Sequence, residues 1–391
     1  MCFGGRSAEH EISVITALQA LEALDPERWT SIPLYVAPDG RCWGGDALRN
    51  RTNYRAINAD PSAVDELHEV KLRLSGGALE VVQETKQSNR FFRQEPKRTI
   101  PDVVFPLFHG TFGEDGAFQG LVEWSGLPCV GSGSRASAVG MDKAMTKVVA
   151  KANGVEVLPW QIVRVDTFDP GGIAECERGL LDRMQKYPLI VKPNVLGSSI
   201  GIKPVKSQRE LLAAFLDIKA LDDSVIVEPM LQDFREINIA VMSYPALRVS
   251  AIEEPKVAKD DTFLTFEQKY TRGGAKGKLS AGQGMTSLPR EIEPKWVTPE
   301  QHNRIEESAK AVFTALGCRG VARVDFLIDK TGRVIFNEIN TIPGSLAHYL
   351  WIDLKAPLTF TGLLDNMIEE AIDGAAKRQC LTRFDGKLRV L

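Results

Sequence analysis

One hairpin constrains this chain more than any other feature. Residues 321–328 and 333–340 are rich in β-branched and aromatic side chains, and Asp329-Lys330-Thr331-Gly332 between them has the composition of a turn. If that four-residue loop closes the pair with Ile328 opposite Arg333, then Arg323 faces Glu338 and Asp325 lies diagonal to it. Side chains alternate between the two faces of a strand. Arg323, Asp325, Glu338 and Asn340 therefore share one face, while Val324, Phe326 and Ile328 take the other. Two carboxylates and an amide oxygen with no lysine among them suit a hard cation such as Mg²⁺. Arg323 beside them can neutralise a phosphate or a developing oxyanion. The plain alternative is a solvated strand face with a cross-strand salt bridge. The run Asn340-Thr341-Ile342-Pro343-Gly344 favours a site, because a Pro-Gly turn sets a backbone N–H beside the cluster.

A second constellation follows the apolar strand at 189–192. Lys192 ends that strand, and the loop Pro193-Asn194-Val195-Leu196-Gly197-Ser198-Ser199-Ile200-Gly201 is rich in small residues. Such a loop lets the backbone approach a polyanion and donate N–H and O–H groups to it. Most Gly/Ser loops are only turns. Together with a carboxylate hairpin, however, this one makes a nucleotide hypothesis, with a loop over the phosphates and metal ions bridging them.

The remaining organisation is that of a mixed α/β chain. A short strand before Gly4-Gly5 leads to a helix that Ser7 can cap, with Glu9 and Glu11 in its first turn and Ile12, Ile15 and Leu18 as its apolar stripe. Three residues are few for a strand, so either the natural start lies further upstream or this sheet edge is weak. Residues 31–36 read as a strand. The polar, weakly patterned text from about 45 to 95 reads as a surface insertion carrying a hairpin at 71–83. Residues 102–109 are a nearly continuous apolar run, as in a buried parallel strand, followed by the Gly-rich loop 109–116. A ligand near the carboxyl end of such a strand fits the rule for open α/β sheets. A helix over 136–153, a strand–loop–strand–helix unit to 228, a strand at 236–242, a Gly/Lys-rich loop at 271–284 and a long helix over 299–316 complete the outline.

Composition narrows the function classes. With 48 Lys+Arg against 51 Asp+Glu, the net charge of -3 offers no footprint for nucleic acid or an anionic membrane. No apolar run approaches the roughly 18 residues of a membrane span, and the polar, Gly-rich start does not resemble a secretory signal. The six cysteines contain no CxxC pair and the five histidines no HExxH pair. Reduced thiols in the cytoplasm are therefore expected, without disulfide or structural zinc. No GxxxxGK[ST] loop is present, which excludes the P-loop route to nucleotide chemistry. Taken singly, Lys143 reads by default as a surface helix lysine and His109 more often as a satisfied core histidine, and Glu228, Glu236, Lys269 and Tyr270 could be plain strand-edge or loop residues; none decides anything alone.

Taken in order, the motifs resemble the D-alanine–D-alanine ligase family of the ATP-grasp superfamily. The matching residues are Gly4-Gly5-Arg6-Ser7-Ala8-Glu9, His109-Gly110 with Gly113-Glu114-Asp115-Gly116, Met141-Asp142-Lys143, Lys192-Pro193 through Gly201, Glu267 to Tyr270, Arg323-Val324-Asp325 and Asn337 to Thr341. The resemblance implies an ATP-grasp fold in three parts. These are an N-terminal open α/β domain at 1–134, a central domain at 135–230, and a C-terminal domain at 231–391 with the metal site and lid, ATP lying between the last two. It implies ATP as substrate, two Mg²⁺ ions for which Mn²⁺ can substitute, D-alanine, and, since the family is commonly dimeric, a homodimer. By the family pattern Lys143, Lys192, Ser199 and Lys269 meet the phosphates, Glu228, Met230 and Leu231 line the adenine pocket, and Glu236 holds the ribose. Asp325, Glu338 and Asn340 hold the metals. Glu9 orients the first substrate's ammonium and is linked through Ser198 to Tyr270, while His109 sits at the first substrate. Arg323 and the Gly344 N–H stabilise the tetrahedral oxyanion.

Two departures fall where the second amino acid binds. The family usually has several residues between Pro-Gly and a serine, whereas here Ser345 follows Gly344 at once. Ser345 then either serves a shortened loop or belongs to a rebuilt subsite with His348 as a new contact. The 271–284 loop is also longer and richer in Lys and Gly. The expected activity is ligation of two D-alanines for peptidoglycan synthesis, through an acyl phosphate. The alternatives are a related ligase with another second substrate, in secondary metabolism for example, or a nucleotide-binding regulator without turnover. Retention of Lys143, Lys192, Asp325, Glu338 and Asn340 argues against the regulator.

Overall fold

The computed structural model describes residues 1–75, 77–83, 96–197, 199–256, 289–352, 354 and 356–381. Ser198, Lys269, Tyr270 and the 271–284 loop lie outside the described residues. The helices are α1 (His10–Ala23), α2 (Asn53–Ala59), α3 (Ala117–Trp124), α4 (Ser134–Met141), α5 (Lys143–Ala152), α6 (Ile173–Met184), α7 (Gln208–Ile218), α8 (Pro299–Leu316) and α9 (Phe360–Leu381). Among the described residues no helix is long and apolar enough to cross a membrane.

The first sheet runs in sequential order through β1 (Cys2–Gly4), β2 (Leu34–Val36), β3 (Cys42–Gly44), β4 (His68–Ser75), β5 (Ala78–Gln83) and β6 (Arg98–Thr99). β1 has only three residues, yet it is not a weak edge. It pairs in parallel with β2, and on its other side Cys2 bonds the backbone of Phe105 and Leu107 at 2.9 and 2.8 Å. Residues 102–109, expected as a regular strand, make only isolated parallel bridges, from Pro106 to Cys2 and from Val104 to Cys129. Pro101 and Pro106 have no N–H to donate, so a continuous ladder cannot form.

Where it is described, the segment expected as a surface insertion at 45–95 is built into the first sheet and its core. β4 and β5 belong to the sheet, and α2 sends Tyr54 and Ile57 into the core with Phe3, Tyr35 and Leu48. The text reads as polar because the hairpin buries few side chains, Val70 and Leu79 on one face and Val82 on the other.

The second sheet has the order β7 (Gln161–Arg164), β10 (Ser224–Pro229), β8 (Leu189–Pro193), β9 (Lys203–Val205), all antiparallel. Val191, Val225 and Val227 pack on α6 and α7. Ile190, Lys192, Ile226 and Glu228 point to the opposite face, with Lys192 diagonal to Glu228 across the ladder. The helix expected over 136–153 is two helices, because Asp142 takes an extended backbone and its carboxylate accepts the Met145 N–H at 2.8 Å. That break places Lys143 in the first turn of α5 rather than in mid-helix.

The third sheet is antiparallel in the order β13 (Arg290–Ile292), β12 (Arg248–Pro255), β11 (Arg235–Met242), β14 (Val321–Ile328), β15 (Val334–Asn340). α8 starts with a Thr298–Gln301 capping box and lays Ile305, Ala309, Val312 and Phe313 on Ile237, Ile239, Val324 and Phe326. Each large side chain buried there contributes about 1.5–3 kcal/mol. The hairpin register differs from expectation by two slips. Ile328 pairs with Val334 rather than Arg333, and a bulge at Asn337 adds one residue more. Asp325 therefore faces Glu338, and Arg323 faces Asn340. One slip would have turned every side chain of β15 over; two restore the original face.

Candidate active site

The polar faces of the second and third sheets look at each other across a cavity of about 610 Å³. Lys192, Glu236, Asn337 and Glu338 line it together with Lys143 of α5 and Ser199 of the loop after β8. The bulge lets Asn337 and Glu338 face it side by side. The Lys192 ammonium lies 2.7 Å from one Glu228 oxygen and donates to Asn337 Oδ1 at 3.3 Å. The other Glu228 oxygen lies 2.8 Å from Lys147. Glu228 is completely buried. Burial alone would raise its pKa, but the two ammonium groups hold it down at about 2. Burial in turn draws the Lys147 pKa down, against the pull of Glu228. Two lysines and one carboxylate leave a net positive charge beside the cavity.

Lys143 completes this end. Its ammonium donates to Leu196 O at 2.6 Å and stands 3.8 Å from Glu338. The start of α5 is tied to the same loop by Lys143 N–H to Asn194 O and Ala144 N–H to Asn194 Oδ1, both at 3.1 Å. Glu228 acts through the lysines rather than from the cavity wall. Met230 and Leu231 are half-buried and outside the wall as well, the Met230 N–H bonding Pro188 O.

A second cavity of about 680 Å³ shares Lys143 and Glu338 with the first. Glu9, His109, Glu114, Gly197, Arg323, Asn340 and Gly344 line the rest. Arg323 grips both oxygens of Asp325 at 2.7 Å, and Asn340 Nδ2 donates to the same carboxylate at 3.2 Å. Asp325 thus sits behind Arg323 instead of lining the cavity. Among the described residues no three His, Cys, Asp or Glu side chains converge as a metal cage.

Two loops close on the buried Glu9 carboxylate. A Cβ at Gly197 would stand 2.8 Å from Glu9 Oε2, and one at Gly110, where φ is +75°, 2.9 Å. A side chain at either would push the Glu9 carboxylate aside, and at Gly110 the positive φ favours glycine as well. Glu114 accepts the Gly110 N–H at 3.1 Å and the Ile342 N–H at 3.2 Å. Burial, then the neighbouring Glu9, push its pKa up to about 8. Burial lowers the His109 pKa to about 4, so the ring is neutral at pH 7; it meets the Thr16 hydroxyl at 3.0 Å. Ser7 does not cap α1. Its hydroxyl accepts the Glu9 N–H and donates to His109 O, joining the two loops.

The turn after Gly344 is left-handed at three successive non-glycine residues, Ser345, Leu346 and Ala347, with φ of 54°, 50° and 49°. Such a backbone costs roughly 1–2 kcal/mol per residue, so the surroundings must hold it. The Ser345 N–H donates to Thr16 Oγ1 at 3.1 Å. The imidazole of His348 meets Ser345 O at 2.8 Å and stacks on Phe360, ring centroids 4.1 Å apart. Arg290 covers the Tyr349 ring and pairs with Glu253 at 2.9 Å. Neither Ser345 nor His348 reaches the cavity wall, contrary to the direct contacts expected. With no residue between Gly344 and Ser345, the turn folds Ser345 underneath, where its hydroxyl is buried without a partner among the described residues.

Four residues of this region had no role in the sequence reading: Lys147 and Thr16, and Glu114 and Asn337, which stood in the matching motifs without one. Helical spacing held the signal for two of them. Lys147 lies one turn after Lys143, and Glu9, Ser13 and Thr16 form a polar stripe at i, i+4, i+7 on a helix that is otherwise mostly apolar. That Asn337 faces the cavity had no signal, because a bulge is invisible in the residue types.

Comparison with known proteins agrees with this geometry. Residues 1–132 match the family described as D-ala D-ala ligase N-terminus, and residues 149–369 match D-ala D-ala ligase C-terminus. The D-alanine–D-alanine ligase of Thermosipho africanus is 34% identical over 95% of this chain and 92% of its own length. That of Chlorobium luteolum is 34% identical over 96% and 97%. Among solved structures, the D-alanine-D-alanine ligase of Coxiella burnetii superposes with a TM-score of 0.74 at 29% identity, covering 98% of this chain and 95% of its own. The VanG D-Ala:D-Ser ligase of Enterococcus faecalis gives 0.73 at 27%, covering 95% and 98%. Two matched halves, near-complete relatives and a shared fold make this chain a member of the D-alanine–D-alanine ligase family.

Proposed function

We propose that the protein is an ATP-dependent ligase that joins two D-alanines for peptidoglycan synthesis. The observation that carries this reading is the shared wall of the two cavities. Lys143 and Glu338 belong to both, so a phosphate held in one and a carboxylate held in the other would meet there. Lys143 and Lys192 neutralise the phosphates, Glu236 takes the ribose, and Ser199 borders the phosphate loop. Glu228 fixes the lysines, and the neighbouring Met230 and Leu231 stay with the adenine side. The carboxylate oxygen of the first D-alanine attacks the γ-phosphorus and ADP departs. The amine of the second then attacks the acyl carbon, phosphate leaves, and the amine gives up a proton. Glu9 holds the first ammonium beside His109. Arg323 and the Gly344 N–H steady the oxyanion. Ser198, Lys269 and Tyr270 keep the roles the family assigns them.

Glu338 and Asn340 bring hard oxygen donors to the cavity wall, and Asp325 stands opposite Glu338 with its carboxylate held by Arg323; this oxygen set, without sulfur, fits Mg²⁺ or Mn²⁺. Bound there, two such ions would supply charge neutralisation at the phosphates. The division into 1–134, 135–230 and 231–391 is supported by one sheet falling in each part.

Release of ADP and phosphate with Mg-ATP across D- and L-amino acids tests the reading, with products weighed by mass spectrometry. D-alanine alone should give its dipeptide. Absence of turnover with every pair would leave a regulator. A second reading, another amino acid at the second position, is favoured by the left-handed Ser345 turn. Turnover only when D-alanine is mixed with a second amino acid would establish it.

A further inference from the structure

The hydroxyl of Thr16 stands between the two halves of the amino-acid site. It accepts the Ser345 N–H at 3.1 Å and meets His109 Nε2 at 3.0 Å, and all three residues are buried. His109 also hydrogen-bonds the Ile342 backbone, two residues before Gly344. With that contact made and the ring neutral, Nε2 is the acceptor, and the Thr16 O–H is the donor it requires. The hydroxyl is thus filled on both sides, taking one proton from the turn and giving one to the ring. Among the described residues the Ser345 N–H has no other partner, and its backbone is left-handed. A residue in that conformation stays there only while its surroundings hold it.

The geometry points to Thr16 as a positioning residue that couples the first-substrate histidine to the second-substrate turn through one hydroxyl. This inference rests on the reading of the cavity as a site for two amino acids. A valine at the position keeps the shape of the side chain and removes both hydrogen bonds, whereas a serine keeps them. A merely structural role would lower the melting temperature and leave the substrate constants in proportion.

Thr16→Val and Thr16→Ser should be compared with the full-length protein in steady-state kinetics and in amide hydrogen exchange at Ser345. Thr16→Val should raise KM for the second D-alanine about tenfold, leave KM for ATP unchanged and speed exchange at Ser345; Thr16→Ser should restore both to within about threefold. Equal KM values in Thr16→Val and the unaltered protein would overturn the inference. So would a serine variant that fails as the valine one does. If the unaltered protein makes no dipeptide from D-alanine, it is the ligase reading that falls. Exchange at Ser345 still decides the coupling, because unchanged exchange in Thr16→Val would refute it.

Discussion

The two cavities are built in different ways. The phosphate side is made by strand faces. Lys192 and Glu228 come from one ladder, and Glu236 and Glu338 from another, so period two sorts them. The amino-acid side adds loop ends and a helix start to the strand residues Arg323, Glu338 and Asn340. Glu9, His109, Gly197 and Gly344 lie in four separate segments and meet only where the chain folds back on itself. Strand faces tolerate local error because neighbours repeat the alternation. A convergence of loops has no such repetition, and each approach depends on a particular glycine or hydroxyl.

That contrast can be broken at several points. The largest effect is expected for Glu228→Gln, which leaves Lys147 and Lys192 facing each other in a buried site. A loss of about 3–5 kcal/mol is expected, and a denaturant midpoint unchanged from the parent would show that the lysines do not depend on Glu228. Next comes Glu338→Ala, at the wall shared by both cavities. It should lower kcat about 10²–10³-fold with the fold intact by circular dichroism; near-normal turnover would place the metal and phosphate chemistry elsewhere.

Gly197→Ala sharpens the comparison, since it touches the loop side alone. KM for the first D-alanine should rise about tenfold while KM for ATP stays put. Equal increases in both would mean that the two cavities share one loop response.

The smallest effect concerns the hairpin turn, away from both cavities. Asp329 accepts N–H groups of Thr331 and Arg333 and pairs with the Arg333 side chain. Burial alone would raise its pKa, but these partners hold it at about 2 against an ordinary 3.8. Its contribution is therefore complete above pH 4 and lost as the pH falls toward 2, about 1–2 kcal/mol in all. Thermal melts of Asp329→Asn should lack that part of the acid destabilisation and show unaltered turnover at neutral pH.

Several elements were legible before the structure. The hairpin, the long helix over Pro299–Leu316 and the Lys192 strand all follow from periodicity and turn composition. The site face of the hairpin was read correctly through a wrong register, since two slips cancel in parity. The described part of the 45–95 segment was misread, because a hairpin that buries only a few side chains reads as polar. His348 was misplaced, because nothing in residue types reveals that a turn will run left-handed and carry the ring onto Phe360.

By itself, the sequence determined which side chains could share a strand face and which small residues allow close approach. These are local matters, settled by alternation and by the absence of a Cβ. The tertiary structure decided which of those residues meet. Thr16 reaches Ser345 across 329 positions and Lys143 reaches Leu196 across 53. Such pairs are chosen by how sheets and helices pack, and packing is a property of the whole chain that no local pattern of residues encodes.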